Sequence, residues 1–226
     1  MSEVALSGTL QDHLKAIYCL EKEGGSVSPS RLADSLGVSL PSVTSMMKKL
    51  ASRKLVSYTP YLSIALTRAG ERQALEVVRH HRLLETYLQK ALGFGLDSLH
   101  DEADRLEHAM SAELEEKIDA FLGHPAFDPH GSPIPDGDGK VTARRLVSLR
   151  TLRPGQTAEV RQLTCRGRGQ LKHLESIGLV PGAAVRVNAA DSGSGVMRLD
   201  FADRSNEPIG ESIADCVLVS RTGGSP

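Results

Sequence analysis

The segment from Ser28 to Leu50 constrains the fold most, because its helix-capping and helix-ending residues predict two short helices joined by a tight turn. Ser28 can cap the first helix, Pro29 suits its first position and Gly37 can close it. Ser39 can cap the second helix. This second helix would turn inward the apolar side chains Val43, Met46, Met47 and Leu50.

Helical and extended patterns flank this pair. The stretch LQDHLKAIYCLEKEGG carries apolar residues at helical spacing and stops at Gly24-Gly25. After the second helix, VSYTPYLSIALT alternates like a two-stranded hairpin, and a long helical pattern follows. Helix, short helix, turn, helix and hairpin is the order of a winged helix-turn-helix. We therefore predict a DNA-binding domain over residues 1–74.

The second helix of this motif would enter the major groove of DNA. Residues 1–74 carry nine basic and six acidic side chains, and this positive balance suits phosphate attraction. A three-helix core without a ligand is the alternative for this pattern. The predicted DNA-contacting residues are Ser39, Pro41, Ser42, Thr44, Ser45, Lys48 and Lys49.

A second feature is HDEADRLEH, residues 100–108, which places four carboxylates and two imidazoles in nine residues. On a continuous helix, positions three, four and seven apart share a face. His100, Asp104, Glu107 and His108 would then form one stripe of metal-liganding side chains. A solvated acidic helix face is the alternative interpretation.

Two further observations favour a metal site. HHRLLE places His81 and Glu85 four apart on another helix, and Asp12 on the first helix could join the same site. His80 points about 100° away from His81, so we expect it on the surface. The segment 123–139 is rich in Pro and Gly, which predicts a linker that would contain His130.

Three modules follow from charge and pattern. Residues 75–140 carry six basic and fourteen acidic side chains. Their apolar spacing predicts helices over about 69–91, 97–108 and 108–122, with a break near Ser111. Residues 141–226 carry twelve basic and eight acidic side chains. Their pattern predicts about five short strands around one helix, which suggests a small SH3-like barrel. The predicted fold class is mainly α with a small β domain: an N-terminal winged helix-turn-helix, a helical metal-binding and dimerisation domain, and this C-terminal barrel.

The remaining composition excludes several classes. No apolar run approaches a membrane span, and the first residues lack a signal-peptide pattern. The three cysteines lie far apart, which disfavours a disulfide scaffold and favours a cytoplasmic protein. A nucleophile elbow, phosphate loop and dinucleotide fingerprint are absent from the sequence, so we predict neither an enzyme nor a small-molecule substrate.

Together these segments resemble the diphtheria-toxin-repressor family of iron- and manganese-dependent transcriptional regulators. The resemblance covers nearly the whole chain and rests on DHLKAIYCL, RLADSLGVSLPSVTSMMKKL, RHHRLLE, HDEADRLEH and HPAFDPHGSPIP. The stretches LRPGQTAEVRQLT and LKHLESIGLVPGAAVRV are similar to the FeoA-like, SH3-like domain that such regulators often append.

The resemblance implies two metal sites. The primary site matches Asp12, Asp104, Glu107 and His108, and the ancillary site matches His81, Glu85 and His100. The iron branch has Met and Cys where this chain has Asp12 and Asp104, so the oxygen-rich shell predicts Mn(II), with Fe(II) possible. Zn(II), Co(II) or Cd(II) could substitute in vitro.

This chain departs from the family pattern at several positions. Lys15 stands where manganese regulators place a further acid, so the resemblance does not imply a two-manganese site. Cys165 and Arg168 stand at the positions from which the third domain of iron regulators adds two ligands. In the hairpin, Leu62 stands where a basic residue is common.

These observations predict a homodimeric repressor of metal-uptake genes that binds palindromic operators when metal is bound. A metal-buffering or iron-transport accessory protein that uses the FeoA-like domain is the alternative. A metallohydrolase and a metal-independent winged-helix regulator are further alternatives.

Overall fold

The computed structural model describes residues 6–59, 63–165, 167–191 and 195–221. Leu62 lies outside these residues. Within them, no helix combines the length and apolar character that a membrane crossing requires. The chain forms two compact units, the first comprising Met1–His81, Leu106–Ser111 and Pro135–Lys140, and the second Arg82–Arg105, Ala112–Ile134 and Val141–Pro226.

The first unit has the predicted winged helix-turn-helix order. Its elements are α1 (Gly8–Glu23), α2 (Pro29–Leu36), α3 (Leu40–Ser52), β1 (Val56–Thr59), β2 (Ser63–Leu66) and the first part of α4 (Arg68–Leu92). The antiparallel β1–β2 hairpin pairs Val56 with Leu66. The core of this unit consists of fully buried apolar side chains, among them Leu14, Ile17, Leu32, Met47 and Leu50.

Local signals set the ends of α2 and α3 as the sequence predicts. The Ser28 hydroxyl accepts a hydrogen bond from the Arg31 amide at 3.1 Å, and the Ser39 hydroxyl accepts one from the Ser42 amide at 3.4 Å. Gly37 ends α2 with a left-handed φ of 64°. These caps orient α3, whose N-terminal end is exposed.

The prediction of one continuous helix through HDEADRLEH is wrong. Helix α5 (Leu99–Leu106) ends after two turns, and Glu107–Ala109 form a separate 3₁₀ turn. Met110 then adopts an extended conformation with φ −71° and ψ 122° and is buried, so the helical hydrogen-bond series cannot continue. The helix α6 (Ala112–Leu122) begins afresh. Glu107 and His108 therefore do not share a helical face with His100 and Asp104.

The second unit includes a six-stranded antiparallel sheet of order β3-β8-β4-β5-β6-β7. Its strands are β3 (Val147–Ser148), β4 (Thr157–Leu163), β5 (Ala184–Asp191), β6 (Val196–Phe201), β7 (Arg204–Gly210) and β8 (Val217–Arg221), with helices α7 (Arg168–Ile177) and α8 (Glu211–Cys216). Register shifts in the β4–β8, β5–β6 and β6–β7 pairs bend the sheet, as small barrels require.

The segment predicted as a linker is instead packed structure. Phe127 pairs with Pro133 in a β-bridge, and the Asp128 amide donates to the Ser132 carbonyl at 2.9 Å. Asp128 and Ile134 are buried. Prolines fix φ at these turns, so the composition typical of a linker here produces a compact loop.

Candidate metal centre

Asp12, Glu107 and His108 meet within the first unit. Asp12 projects from α1, whereas the other two lie on the 3₁₀ turn. His108 Nε2 lies 2.8 Å from Asp12 Oδ1 and 3.7 Å from Glu107 Oε1. One potential ligand atom from each residue falls within 4.8 Å of the others. Two carboxylates and one imidazole form a hard donor set that fits Mn(II) or Fe(II).

Two neighbours position the His108 ring, and sequence reasoning missed both. The Gln11 side-chain oxygen lies 2.8 Å from His108 Nδ1, so it can orient the ring and leave Nε2 facing Asp12. A Cβ on Gly8 would lie 3.0 Å from the His108 ring, so the glycine provides space for the imidazole. Ligand histidines commonly have such a partner on their second nitrogen.

Glu107 is buried between the metal-facing groups and a second set of polar side chains. Its Oε1 accepts a hydrogen bond from Lys15 Nζ at 2.6 Å, and its Oε2 lies 2.6 Å from His81 Nδ1. The prediction that His80 is a surface residue is wrong: it is buried, with Nδ1 3.3 Å from the Glu107 carbonyl oxygen. Burial of Glu107 therefore depends on this paired environment.

Of the other predicted ligands, Glu85, His100 and Asp104 lie in the second unit, whereas His81 is the last residue of the first stretch of the first unit. His100 Nδ1 lies 3.5 Å from Glu85 Oε1, and His100 Nε2 lies 3.5 Å from Asp104 Oδ2. Glu85 and His100 of the predicted ancillary set are thus brought together. The assignment of Asp104 to the primary set and of His81 to the ancillary set stays a prediction.

A third cluster, formed by Glu85, Asp128 and His130, lies wholly in the second unit and was missed by the sequence analysis. Its potential ligand atoms lie within 4.8 Å of one another. His130 Nδ1 lies 3.5 Å from Glu85 Oε2, and its Nε2 lies 3.1 Å from the Leu96 carbonyl oxygen. The expectation that His130 belongs to a linker is wrong. Glu85 is shared between this cluster and His100.

The pKa values of Asp128 and His130 in this cluster are displaced. Burial raises the pKa of Asp128 to about 6, and the charge of Glu85 adds to this, whereas Arg82 and His130 oppose it. Burial alone would lower the pKa of His130, but the hydrogen bond to Glu85 and the charges of Glu85 and Asp128 raise it to about 9. His130 is therefore protonated at neutral pH in the metal-free chain.

This displacement predicts a pH-dependent stability. The pKa of folded His130 lies above its ordinary value of 6.5, so its contribution is complete below pH 6.5 and lost as the pH rises through 9. From pH 7 to pH 10, the metal-free wild type should lose about 3 kcal/mol more unfolding free energy than His130→Gln. Urea unfolding with a chelator measures this difference, and parallel pH profiles for the two proteins would contradict it.

Three family models cover the chain in succession. The iron dependent repressor N-terminal DNA binding domain matches residues 5–64, the iron dependent repressor metal binding and dimerisation domain matches 67–136, and the FeoA domain matches 147–221. The iron-dependent repressor IdeR of Mycobacterium tuberculosis is 32% identical over 228 aligned residues, covering 96% of this chain and 98% of that protein. The chain belongs to the iron-dependent repressor family. The resemblance to diphtheria-toxin-repressor proteins is thereby confirmed.

Solved structures agree with this family and with the predicted fold class. A manganese-dependent transcriptional repressor in complex with manganese superposes with a TM-score of 0.88 at 36% identity, covering 94% of this chain and 100% of that chain. The IdeR of T. acidophilum superposes with a TM-score of 0.76 at 26% identity, covering 98% and 100%. The winged helix, the helical domain and the C-terminal SH3-like sheet are therefore all confirmed.

In this iron-dependent repressor homologue, the FeoA domain offers no ligand at the two positions that the family pattern suggests. Cys165 forms a disulfide with Cys216, 51 residues away, contrary to the expectation from the cysteine spacing. Arg168 forms an ion pair with Asp101 of α5. A bonded sulfur and a guanidinium are not metal ligands, so neither residue can contribute to the predicted ancillary site.

Helix α3 is the predicted recognition helix of this family member. All seven predicted DNA-contacting residues are exposed or half-buried, whereas Val43, Met47 and Leu50 face the core. Lys48 and Lys49 are exposed, and so are Arg53 and Lys54 at the helix end. This surface suits phosphate contacts flanking a helix in the major groove.

Proposed function

We propose that this chain is a cytoplasmic, homodimeric repressor that binds palindromic operators when Mn(II) occupies the site of Asp12, Asp104, Glu107 and His108. The observation that carries the proposal is the 2.8 Å contact between His108 and Asp12. Asp12 belongs to α1 of the DNA-binding domain. A group that holds Asp12 to the 3₁₀ turn therefore also fixes the helix against which α2 and α3 pack.

The carboxylates supply the switch. Asp12 and Glu107 carry like charges at close range, and the Lys15 ammonium at Glu107 balances only one of them, so their approach is disfavoured unless a further cation compensates it. A bound divalent ion supplies this compensation. Asp12, Glu107 and His108 would then hold α1 in one position. The population of the DNA-competent conformation rises according to how much more tightly it binds the metal than the DNA-incompetent conformation does.

Mn(II) is the proposed metal, with Fe(II) as the second candidate. The described donor set contains oxygen and nitrogen and no thiolate, which suits a hard cation. The manganese-bound structural relative supports this choice. Zn(II), Co(II) and Cd(II) should bind in vitro, because affinity across the divalent series follows coordination chemistry rather than physiological use.

Dimerisation through the second unit is supported by exposed apolar side chains. Leu92, Leu114 and Phe121 are 57%, 46% and 67% exposed, and the Phe121 ring contacts Tyr87 edge-on at 5.7 Å. Large exposed apolar groups of this kind mark interaction surfaces. The family model for metal binding and dimerisation covers all of these residues.

Replacement of Lys48 and Lys49 by alanine should weaken DNA binding similarly on all sequences. Each lysine that neutralises a phosphate adds about 0.9 to the slope of log affinity against log salt, so the double variant should have a slope shallower by roughly 2 per protomer. Fluorescence anisotropy in Mn(II) on a duplex selected from a random library measures the slope. Lys140→Ala, which removes an exposed lysine outside α3, is the control.

The same selection separates the main alternative function. A metal-buffering or transport accessory protein would enrich no sequence from the library, with or without Mn(II). Enrichment that requires Mn(II) supports the repressor, and equal enrichment in a chelator would indicate a metal-independent regulator.

A further inference from the structure

Lys15 places an ammonium group beside the proposed primary site. It follows Asp12 by three residues on α1, so both side chains leave the same face of the helix. Its Nζ lies 2.6 Å from Glu107 Oε1 and 3.4 Å from His81 Nδ1. The Lys15 side chain is only 16% exposed and that of Glu107 is fully buried, so solvent screens this charge weakly.

The position of the Lys15 ammonium matters because it contacts the same Glu107 oxygen that faces His108. Oε1 faces both Lys15 Nζ at 2.6 Å and His108 Nε2 at 3.7 Å. His81 Nδ1 faces the other oxygen, Oε2, at 2.6 Å. Both oxygens of Glu107 therefore have partners in the chain before any metal binds.

Two physical consequences follow for a divalent ion. An ion held by Asp12, Glu107 and His108 meets a like charge across the Glu107 carboxylate, which weakens its binding. In addition, the region between Glu107 and His81, where a carboxylate and an imidazole could together hold a second ion, already contains the ammonium.

We propose that Lys15 is a tethered cation that sets the metal threshold of the switch, weakening divalent binding at the primary site and restricting that site to one ion. This proposal rests on the proposed function. It gives Lys15 the role of a specificity-determining residue. The chain binds DNA only when the concentration of free Mn(II) is high enough for the ion to bind despite the nearby Lys15 ammonium.

Three variants of the full-length chain test this role. Lys15→Met keeps the aliphatic stem and removes the charge, so it should bind Mn(II) at least about 10-fold more tightly with unchanged stoichiometry. Lys15→Arg keeps the charge and should bind as the wild type. Lys15→Glu should bind one additional Mn(II) per chain and show the EPR signal of two exchange-coupled ions. Lys22→Met, on the exposed part of the same helix, is the matched control.

Isothermal titration and EPR with Mn(II) alone provide the readouts, and the free Mn(II) at half-maximal DNA binding should fall with the Met variant. Lys15→Gln, which can still donate to Glu107, provides the affinity test if Lys15→Met does not fold. Unchanged or weaker Mn(II) binding in the neutral variant, or unchanged stoichiometry in Lys15→Glu, would overturn the proposal. If His108→Ala also leaves Mn(II) binding intact, the proposed function itself fails; if only the Lys15 variants behave as wild type, only this inference does.

Discussion

Replacing His108 by alanine is expected to weaken Mn(II) binding at least about 100-fold and to abolish metal-dependent operator binding. The variant removes the only imidazole of the described Asp12, Glu107 and His108 cluster. It also leaves only carboxylates to hold the ion, without their nitrogen partner. The His108 side chain is 26% exposed, so the fold should tolerate its truncation. Titration of operator DNA at buffered free Mn(II) measures the effect.

His124→Ala is the matched control for this prediction. His124 is also a histidine paired with a carboxylate, Asp119, at 2.9 Å, but its side chain is 75% exposed. It should bind Mn(II) and DNA as the wild type does. Asp104→Ala should behave like His108→Ala if Asp104 belongs to the primary set. Metal-dependent operator binding that persists in His108→Ala would contradict the assignment of His108 to the primary metal site.

Replacing Gly131 by alanine is expected to destabilise the protein by at least about 3 kcal/mol. Gly131 has a φ of +85°, and a Cβ there would lie 1.9 Å from the Arg161 carbonyl oxygen. It would also lie 2.9 Å from the Gln162 Cα. These are backbone atoms of β4, so no side-chain rotation can relieve the overlap. The loop that carries Asp128 and His130 would have to leave the strand.

Urea unfolding measures this loss, with Gly137→Ala as the control. A Cβ on Gly137 would have no neighbour within 4 Å, and its φ is not in the left-handed region. We expect the control to unfold at the same urea concentration as the wild type or slightly higher. Equal stability of the two alanine variants would show that the loop does not pack against β4 as described.

Local chemistry predicted the DNA-binding domain well. Ser28, Gly37 and Ser39 act on neighbours within five residues, so the sequence alone contains the information for the ends of α2 and α3. The helix through HDEADRLEH was mispredicted because its side-chain spacing continues past Leu106. The extended backbone at Met110, which buries its side chain, has no counterpart in that spacing.

Features that depend on distant residues could not be predicted in the same way. His130 lies 45 residues from Glu85 and Cys216 lies 51 residues from Cys165, so no periodic pattern links either pair. The ammonium of Lys15 at Glu107 joins residues 92 apart. The family pattern predicted the ligand positions, but only the fold showed that a half-buried lysine adjoins one of them.

The most direct test of the account is the affinity of the full-length chain for a Mn(II)-selected duplex across buffered free Mn(II) at fixed salt. We predict tight, saturable binding in Mn(II), its loss on chelation, and no metal response in His108→Ala. Equal affinity with and without Mn(II) in the wild type would contradict the central claim that a metal ion at Asp12, Glu107 and His108 controls the DNA-binding domain.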